Sequence, residues 1–150
     1  MVDIRLGGEA DVAAIASFNK AMAWETEKRE LPDQLITAGV RGLLARPDQG
    51  FYLIAYADGQ PAGCLMITYE WSDWRNKVFW WVQSVYVMPD FRGKGLYKAL
   101  YAEVKRLAIE RGGVCGFRLY VEKENSRAQK IYEHLGMTEA HYLMYEQPLE

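Results

Sequence analysis

The sequence predicts an α+β domain with a mixed, mostly antiparallel central sheet flanked by helices. Strand-like runs at residues 51–58 and 62–71 are separated by a short turn, which indicates an antiparallel hairpin. A helical stripe at 96–111 separates the strand at 77–87 from another at 116–122, and this arrangement requires a parallel crossover. Because the 150 residues contain no repeat, linker or low-complexity tract, we expect one domain, 1–150.

The N-terminal elements follow from apolar spacing and from chain breakers. A short strand at 3–6 ends at the Gly7-Gly8 pair. A helix follows from about Ala10, with inward positions at Val12, Ile15, Ala16 and Asn19. Pro32 interrupts the chain, and Asp33 is a suitable N-cap for a second helix that ends before Pro47.

The remaining elements complete the order βααβββαβαβ. The first hairpin turns at Gly59-Gln60-Pro61, and the helix at 96–111 ends at Gly112-Gly113. A short helix at 126–135 has inward positions at helical spacing, and Gly136 ends it. These inward positions are Ala128, Ile131, Tyr132 and Leu135. We expect residues 137–147 to form a final strand.

Composition and charge exclude several classes of protein. The formal net charge of −2 gives no sign of the basic surface that a nucleic-acid partner requires. The N-terminal residues do not resemble a signal peptide, and no apolar run is long enough to cross a bilayer. Cys64 and Cys115 do not form a CxxC pair, so we expect two reduced, buried thiols, with a disulfide as the alternative. These features predict a cytoplasmic protein without a membrane partner.

The stretch RGKGLY, residues 92–97, is the strongest candidate for a binding site. A Walker loop needs four residues between its glycines, and a dinucleotide fingerprint needs a third glycine where Lys98 stands. The remaining interpretation is an anion cradle, in which Gly93 and Gly95 let the backbone N–H groups approach a phosphate at a helix start. Arg92 and the neighbouring lysines would add positive charge. An ordinary strand-to-helix turn with solvated basic residues is the alternative.

Three segments resemble motifs of the GCN5-related N-acetyltransferase (GNAT) superfamily. VQSVYVMPDFRGKGLYKAL resembles its acetyl-CoA motif, Q/R-x-x-G-x-G/A, with Arg92 and Gly95 matching and Tyr97 departing from the last position. IRLGGEADVAAI resembles the opening strand-turn-helix of the superfamily. ENSRAQKIYEHLGM resembles the pattern N-x-x-A-x-x-x-Y-x-x-x-G, through Asn125, Ala128, Tyr132 and Gly136. The resemblance covers nearly the whole chain and implies the acyl-CoA N-acyltransferase fold, whose central sheet is splayed.

The resemblance implies transfer of an acetyl group from acetyl-CoA to an amine. The coenzyme-binding residues implied are Val85, Tyr86, Val87, Arg92, Gly93, Lys94, Gly95, Leu96, Tyr97, Lys98, Asn125, Ala128 and Tyr132. A backbone N–H near Val85 would stabilise the developing oxyanion, and Tyr132 would be the catalytic acid that protonates the departing thiolate. A buried strand at 85–87, a core aromatic at Tyr132 and a helix cap at Asn125 are the alternatives.

The general base is not identified by the sequence. Gln83 stands where some members of the superfamily have a glutamate, and an amide can hold a water but cannot take a proton. The carboxylates that could act through water are Glu25, Glu27 and Glu30, expected after the first helix, together with Glu70 and Glu122.

The aromatic stretch TYEWSDWRNKVFWW, residues 68–81, is expected to border the acceptor site. Aromatic faces and carboxylates attract a cationic amine, so the candidate substrate-binding residues are Glu27, Tyr69, Trp71 and Gln83. A core, a dimer interface or a lid is the alternative for these aromatic residues. Trp80 and Trp81 point to opposite faces of a strand, so we expect at least one of them to be structural.

Three further expectations concern partners. The acceptor is a small-molecule amine or a protein amino group, and dimers are frequent in the superfamily, so a homodimer is one option. His134 and His141 are isolated, and no metal site is expected. A non-catalytic acyl-CoA-binding domain and an enzyme that uses another nucleotide at the same turn are the rival functions.

Overall fold

The computed structural model describes all residues, 1–150, and the predicted order of elements holds through the last helix. The strands are β1 (Val2–Leu6), β2 (Gly50–Ala57), β3 (Gln60–Ser72), β4 (Lys77–Val87) and β5 (Val114–Arg118). The helices are α1 (Val12–Glu27), α2 (Asp33–Leu44), α3 (Leu96–Arg111) and α4 (Ser126–His134). Short 3-10 turns cover Glu9–Asp11 and Pro89–Phe91. None of the helices has both the length and the apolar character that crossing a bilayer would require.

The five strands form one open sheet in the order β1-β2-β3-β4-β5. The first three pairs of neighbouring strands are antiparallel, and β4 and β5 are parallel. Helix α3 makes the crossover between β4 and β5, as its position in the sequence requires. The structure therefore confirms the predicted mixed, mostly antiparallel sheet flanked by helices.

Each face of the sheet has its own hydrophobic core, because side chains alternate along the strands. One face packs against α3, through residues that include Leu65, Ile67, Trp80, Val82, Leu100 and Val104. The opposite face packs against α1 and α2, through residues that include Ile15, Phe18, Val40, Ile54, Cys64 and Tyr86. Trp80 is 2% exposed within the α3 core, which confirms the expected structural role for one of the paired tryptophans. Cys64 is buried, and Cys115 is half-buried.

The hairpin between β2 and β3 is tighter than expected. Its two central residues are Asp58, with φ of +52°, and Gly59, with φ of +79°. Positive φ at both positions is typical of a type I′ turn, for which Asp-Gly is a preferred sequence. Strand β3 therefore starts at Gln60, and Pro61 lies within the strand rather than in the turn.

Two boundaries near the first helix also differ from the expectation. Helix α1 continues through Glu27, so Glu25 and Glu27 lie in its last turns rather than after it. Pro32 occupies the N-cap position of α2, and Asp33 is the first helical residue with no capping bond from its side chain. The Asp33 carboxylate instead accepts a hydrogen bond from Lys20 Nζ at 2.7 Å. Its favourable position in the first turn comes from the helix dipole.

The chain forms two compact units, Met1–Leu119 and Tyr120–Glu150. The second unit contains α4, in which Ala128, Tyr132 and the C-cap residue Leu135 are half-buried and Ile131 is 44% exposed, so the inward stripe expected for this helix is only partly formed. That the two units make one domain stays a prediction.

The final strand expected at 137–147 is wrong, since these residues form no helix or strand. A strand needs a partner that supplies backbone hydrogen bonds, and strand-forming side chains alone do not provide one. The large side chains of this segment are exposed, among them Tyr142, Leu143 and Tyr145. Strand β5 likewise ends at Arg118, where its pairing with β4 ends, and not at residue 122.

Candidate functional site

A β-bulge interrupts β4 just before its last residues. Cys64 pairs with Tyr86 and Met66 pairs with Gln83, so two residues of β4 face one residue of β3 between these pairs. The first of the two, Ser84, has φ of +50°, which is unusual for a residue with a side chain. A bulge of this kind bends the strand and turns its backbone groups away from the regular ladder.

Beyond the bulge, one edge of β4 has no neighbouring strand. The parallel ladder between β4 and β5 ends at the pair Trp81–Arg118, so residues 82–87 lie beyond it. This is the splayed region that the family resemblance implies. The carbonyl oxygen of Val87 is already bound there, because Arg92 Nε donates to it at 2.8 Å. The backbone groups of this segment that point away from β3 can pair with an extended ligand in the manner of an added strand.

The glycine turn after β4 has the geometry of an anion cradle. Gly93 has φ of +75° and Gly95 has φ of +77°. Gly95 is the N-cap of α3, and no side chain caps the helix. The first bond into the helix runs from Ala99 N–H to the Gly95 carbonyl at 3.0 Å, so the N–H groups of the first turn have no intrahelical acceptor. These donors lie at the positive end of the helix dipole and fit a phosphate group.

The space around the cradle is open where a ligand would approach. A Cβ atom placed on Gly93 or Gly95 would meet no atom within 4 Å. Lys94 and Lys98 are exposed, and Leu96 anchors the turn in the α3 core with 4% exposure. Tyr97 packs against the same core, with its ring 6.2 Å from that of Tyr101. The residue that departs from the family pattern therefore contributes packing to α3.

A three-residue cluster lies beside the cradle. Glu25, in the last turns of α1, accepts a hydrogen bond from the Tyr86 hydroxyl at 2.5 Å through Oε2. Its other oxygen, Oε1, accepts from Arg92 Nη2 at 2.7 Å. The Arg92 guanidinium also lies 5.4 Å from the centre of the Tyr86 ring. One carboxylate thus joins the first helix, the end of β4 and the residue before Gly93.

These contacts shift the ionisation of both partners. The hydrogen bonds from Tyr86 and then Arg92 lower the pKa of Glu25 below its ordinary value. Burial, followed by the neighbouring Glu25 carboxylate, raises the pKa of Tyr86 to about 12. Glu25 is therefore ionised at neutral pH and is a weak base, and Tyr86 keeps its proton as a donor.

A second polar cluster lies on the face of the sheet that carries α1 and α2. The Glu70 carboxylate accepts from Trp81 Nε1 at 2.7 Å and from Arg118 Nη1 at 2.9 and 3.0 Å. The bond from Trp81, and then those from Arg118, lower the pKa of Glu70. On the same face, Gln83 Nε2 donates to Thr68 Oγ1 at 2.7 Å. Glu70, like Glu25, is paired and is a weak base.

The structure does not bring the four candidate acceptor residues together. Strand alternation puts Tyr69 and Trp71 on the α3 face, opposite to Gln83. The Tyr69 ring packs against Phe51 and Trp80, and its hydroxyl accepts a bond from Arg111 at 2.9 Å. Trp71 is 61% exposed, and Glu27 is exposed at the end of α1.

The second unit contains the other motif that the sequence singled out. Asn125 is the N-cap of α4, and its Oδ1 accepts from Ala128 N–H at 3.2 Å. The helix-cap role of Asn125 is therefore present in the structure, and the coenzyme role stays a prediction. Tyr132 is half-buried, and burial raises its pKa, so its phenol is protonated at neutral pH.

Sequence reasoning missed two features of the site. The bulge at Ser84 has no sequence signal, because a serine within VQSVYV is compatible with a regular strand. The contact between Glu25 and Arg92 spans 67 residues, and only the packing of α1 on the sheet brings the two together. The sequence contains no signal for this contact, because the unfavourable acidic residue at a helix end becomes evident only when α1 is seen to continue through Glu27.

The open mixed sheet, the bulged β4 and the glycine turn before α3 define the class as the acyl-CoA N-acyltransferase fold. A model of the acetyltransferase (GNAT) family matches residues 11–137, which is most of the chain. The chain therefore belongs to this family, and the resemblance found in the sequence is confirmed.

Three known proteins illustrate the similarity. A solved structure of a possible acetyltransferase from Clostridium difficile 630 is 41% identical, covers 100% of this chain and 99% of that chain, and has a TM-score of 0.92. Ribosomal-protein-alanine N-acetyltransferase from Brucella melitensis biovar Abortus 2308 is 25% identical over 100% of both chains, with a TM-score of 0.81. Thialysine N-epsilon-acetyltransferase from Sus scrofa is 32% identical over 93 residues, 56% of this chain. The match spans about half, 53%, of that relative.

Proposed function

We propose that the protein is an N-acetyltransferase that transfers an acetyl group from acetyl-CoA to a primary amine of a small molecule or a protein. The observation that carries this proposal is the open edge of β4 next to the Gly93–Gly95 turn. An extended amide chain that ends in a pyrophosphate, as coenzyme A does, matches a strand edge followed by a helix N-terminus.

The residues present fit the coenzyme. Backbone N–H groups of 93–98 would hold the pyrophosphate, and Lys94 and Lys98 would add positive charge. Backbone groups of 85–87 that point away from β3 would pair with the pantetheine arm, apart from the Val87 carbonyl, which Arg92 already binds. The coenzyme supplies the acetyl group as an activated thioester.

The chain's own groups would assist direct attack of the amine within a ternary complex. The backbone N–H of Val85 would donate to the carbonyl oxygen as negative charge develops there. The hydroxyl of Tyr132 would give a proton to the departing sulfur, in line with its protonated state at neutral pH. Tyr132 receives this role from its place in the family motif.

The acceptor ammonium, with a pKa of about 10, must lose a proton before it attacks. The low pKa values of Glu25 and Glu70 make these carboxylates poor bases. Since Gln83 Nε2 donates to Thr68, its amide oxygen remains to accept a bond from a water or from the ammonium group. We therefore propose that the proton passes through a water held at Gln83 to bulk solvent, and not to Glu25 or Glu70.

The names of the relatives support an amine nitrogen as the acceptor. One of them is named as acting on thialysine at its ε-nitrogen, and another on an alanine of a ribosomal protein. Both a small molecule and a protein amino group therefore stay in the proposal. A cytoplasmic location and a homodimer stay predictions from the sequence.

A thiol-release assay tests the proposal. The protein is incubated with acetyl-CoA and, in turn, with polyamines, aminoglycosides, amino acids and peptides, and free coenzyme thiol is measured. We expect thiol release that depends on one class of amine and an acetylated amine by mass spectrometry. Absence of release across all classes, with acetyl-CoA bound, would instead identify the alternative, a non-catalytic acyl-CoA-binding domain.

Thermal unfolding with added nucleotides tests the ligand itself. A ligand that binds only the folded state raises the melting temperature with its concentration. We expect acetyl-CoA to do so and NAD and ATP to have little effect. Stabilisation by NAD or ATP without stabilisation by acetyl-CoA would mean that the glycine turn serves another nucleotide.

A further inference from the structure

The C-terminal end of α1 has a charge distribution that does not favour the helix. Glu25 and Glu27 lie in its last turns, where no basic residue is present. The helix dipole is negative at this end, so a carboxylate there is unfavourable for the helix alone. The hydrogen bonds of Glu25 with Tyr86 and Arg92 offset this unfavourable interaction with the dipole. Glu27 makes neither of these bonds.

The Glu25 contacts reach both halves of the coenzyme site. Tyr86 lies two residues after Ser84, whose positive φ makes the bulge a strained conformation. Such strain persists only where the surrounding structure holds the backbone on both sides. The Tyr86 ring packs against Phe18 of α1 at 5.6 Å, and its hydroxyl is fixed by Glu25. The open strand edge therefore depends on a side chain that Glu25 restrains.

The same carboxylate restrains the glycine turn. Arg92 immediately precedes Gly93, and its guanidinium is held at two points, by Glu25 and by the Val87 carbonyl. The Arg92 and Glu25 side chains are 44% and 39% exposed, so the pair is partly solvated. The guanidinium therefore has a fixed position immediately before the first glycine of the turn.

We propose that Glu25 is a positioning residue of the coenzyme site, which fixes Tyr86 of the bulged strand and Arg92 of the glycine turn relative to each other. This inference rests on the proposed acetyl-CoA binding. Glu25 acts through these two side chains and does not take part in proton transfer.

The test compares Glu25→Ala with Glu25→Gln. The alanine variant loses both contacts, and we expect the acetyl-CoA dissociation constant and Michaelis constant to rise about three- to ten-fold, with kcat changed less than about two-fold. The glutamine variant should recover part of this loss, because its single amide oxygen can still accept from one of the two donors, Tyr86 or Arg92. Tyr86→Phe, which removes only one hydroxyl, should give a smaller rise in the same constants. Titration calorimetry and steady-state kinetics measure both quantities.

The matched control is Glu9→Ala. Glu9 pairs with Arg41 at 2.8 Å, with both side chains exposed, in a contact that spans 32 residues. It is thus an arginine–glutamate pair between two elements that does not involve β4 or the glycine turn. We expect this variant to bind acetyl-CoA as the wild type does.

The outcomes separate the inference from the proposed function. If the wild type fails to bind acetyl-CoA, the proposed function and the inference fail together. If the wild type binds, and Glu25→Ala and Tyr86→Phe bind equally well, only the inference is overturned. A fall in kcat that Glu25→Gln does not rescue, with an unchanged Michaelis constant, would identify Glu25 as a base and would also overturn it.

Discussion

Gly95 has a backbone conformation on which the anion cradle depends, and it allows a sharp test. In Gly95→Val, the side chain enters space that is open in the structure and that the proposed phosphate group would occupy. We expect the acetyl-CoA dissociation constant to rise at least about ten-fold, since the contact of the backbone with the phosphate is lost. Titration calorimetry measures the change directly.

Gly59→Val provides the matched control for this substitution. Gly59 has φ of +79°, against +77° for Gly95, and a Cβ at either position meets no atom within 4 Å. Both variants therefore carry a similar backbone strain, roughly 1–2 kcal/mol, and a similar loss of thermal stability. Equal acetyl-CoA affinity in the two variants would mean that residues 93–98 do not hold the pyrophosphate.

Tyr132 is the residue for which the catalytic proposal makes the clearest kinetic prediction. Tyr132→Phe removes the hydroxyl that would protonate the departing sulfur and leaves the ring in place. We expect kcat to fall about ten-fold or more, with a Michaelis constant for acetyl-CoA within about two-fold of the wild type.

Tyr145→Phe is the comparison for this prediction. Tyr145 lies in the same unit and is 90% exposed, so loss of its hydroxyl should leave kcat unchanged. A Tyr132→Phe enzyme as active as the Tyr145→Phe enzyme would remove Tyr132 from the mechanism and leave it a packing role.

The sequence predicts single residues of the site only where a local motif defines their role. Arg92 and Gly95 are identified by their spacing, because a glycine turn before a helix stripe is a local pattern. Ser84 is not identified, since its positive φ results from the pairing of β3 with β4. Glu25 is recognised as a candidate base, but its role as the partner of Tyr86 and Arg92 depends on tertiary packing.

Helices and strands, like single residues, are predicted where a local pattern defines them and missed where tertiary pairing decides. Strand β4 and helix α3 have the bounds expected from the sequence, 77–87 and 96–111, because strong apolar patterns and chain breakers define them. Strand β5 is displaced and the strand at 137–147 is absent, because strand ends depend on a partner. Local patterns thus predict the elements that they delimit strongly better than they predict strand ends, which depend on pairing.

The Glu70 cluster joins three strands and predicts a pH dependence of stability. In the folded protein, the hydrogen bonds from Trp81 and then Arg118 hold the pKa of Glu70 below its ordinary value. A carboxyl group with a lowered folded-state pKa stabilises the fold above its unfolded-state pKa, and the contribution is lost as the pH falls through the folded-state value. We expect Glu70→Gln to melt about 1–4 °C below the wild type at pH 7. This difference should shrink progressively below about pH 4.5.

Glu110→Gln is the control for this effect. Glu110 pairs with Arg106 at 2.6 Å on the surface of α3, with side chains 58% and 64% exposed. Its substitution should change the melting temperature little at any pH, because exposed helix pairs contribute little. A Glu70→Gln difference that is constant from pH 7 to pH 3 would show that the charge of Glu70 does not stabilise the sheet.

The fold class can be predicted correctly from the sequence because the predicted elements constrain one another. A hairpin followed by a strand-helix-strand crossover leaves few ways to build one sheet, and the observed order β1-β2-β3-β4-β5 is one of them. The number of units that unfold cooperatively is a separate property. Length and composition suggest one unit, but the number depends on contacts between distant segments. Because the chain has two compact units, the number of unfolding transitions can be measured by following each unit separately.

The chain carries natural probes that report on the two units separately. All five tryptophans, at positions 24, 71, 74, 80 and 81, lie in Met1–Leu119. Both histidines, His134 and His141, lie in Tyr120–Glu150. Tryptophan fluorescence therefore follows the first unit, and the imidazole proton resonances follow the second.

We expect the two probes to give the same midpoint in urea, because a single domain of this size unfolds in one cooperative transition. The fluorescence transition and the change in the histidine resonances should then superimpose across the denaturant series, with one m-value. Far-ultraviolet circular dichroism, which follows helices of both units, should coincide with them. A histidine transition that precedes the fluorescence transition would mean that Tyr120–Glu150 unfolds independently, and the single-domain prediction would then be wrong.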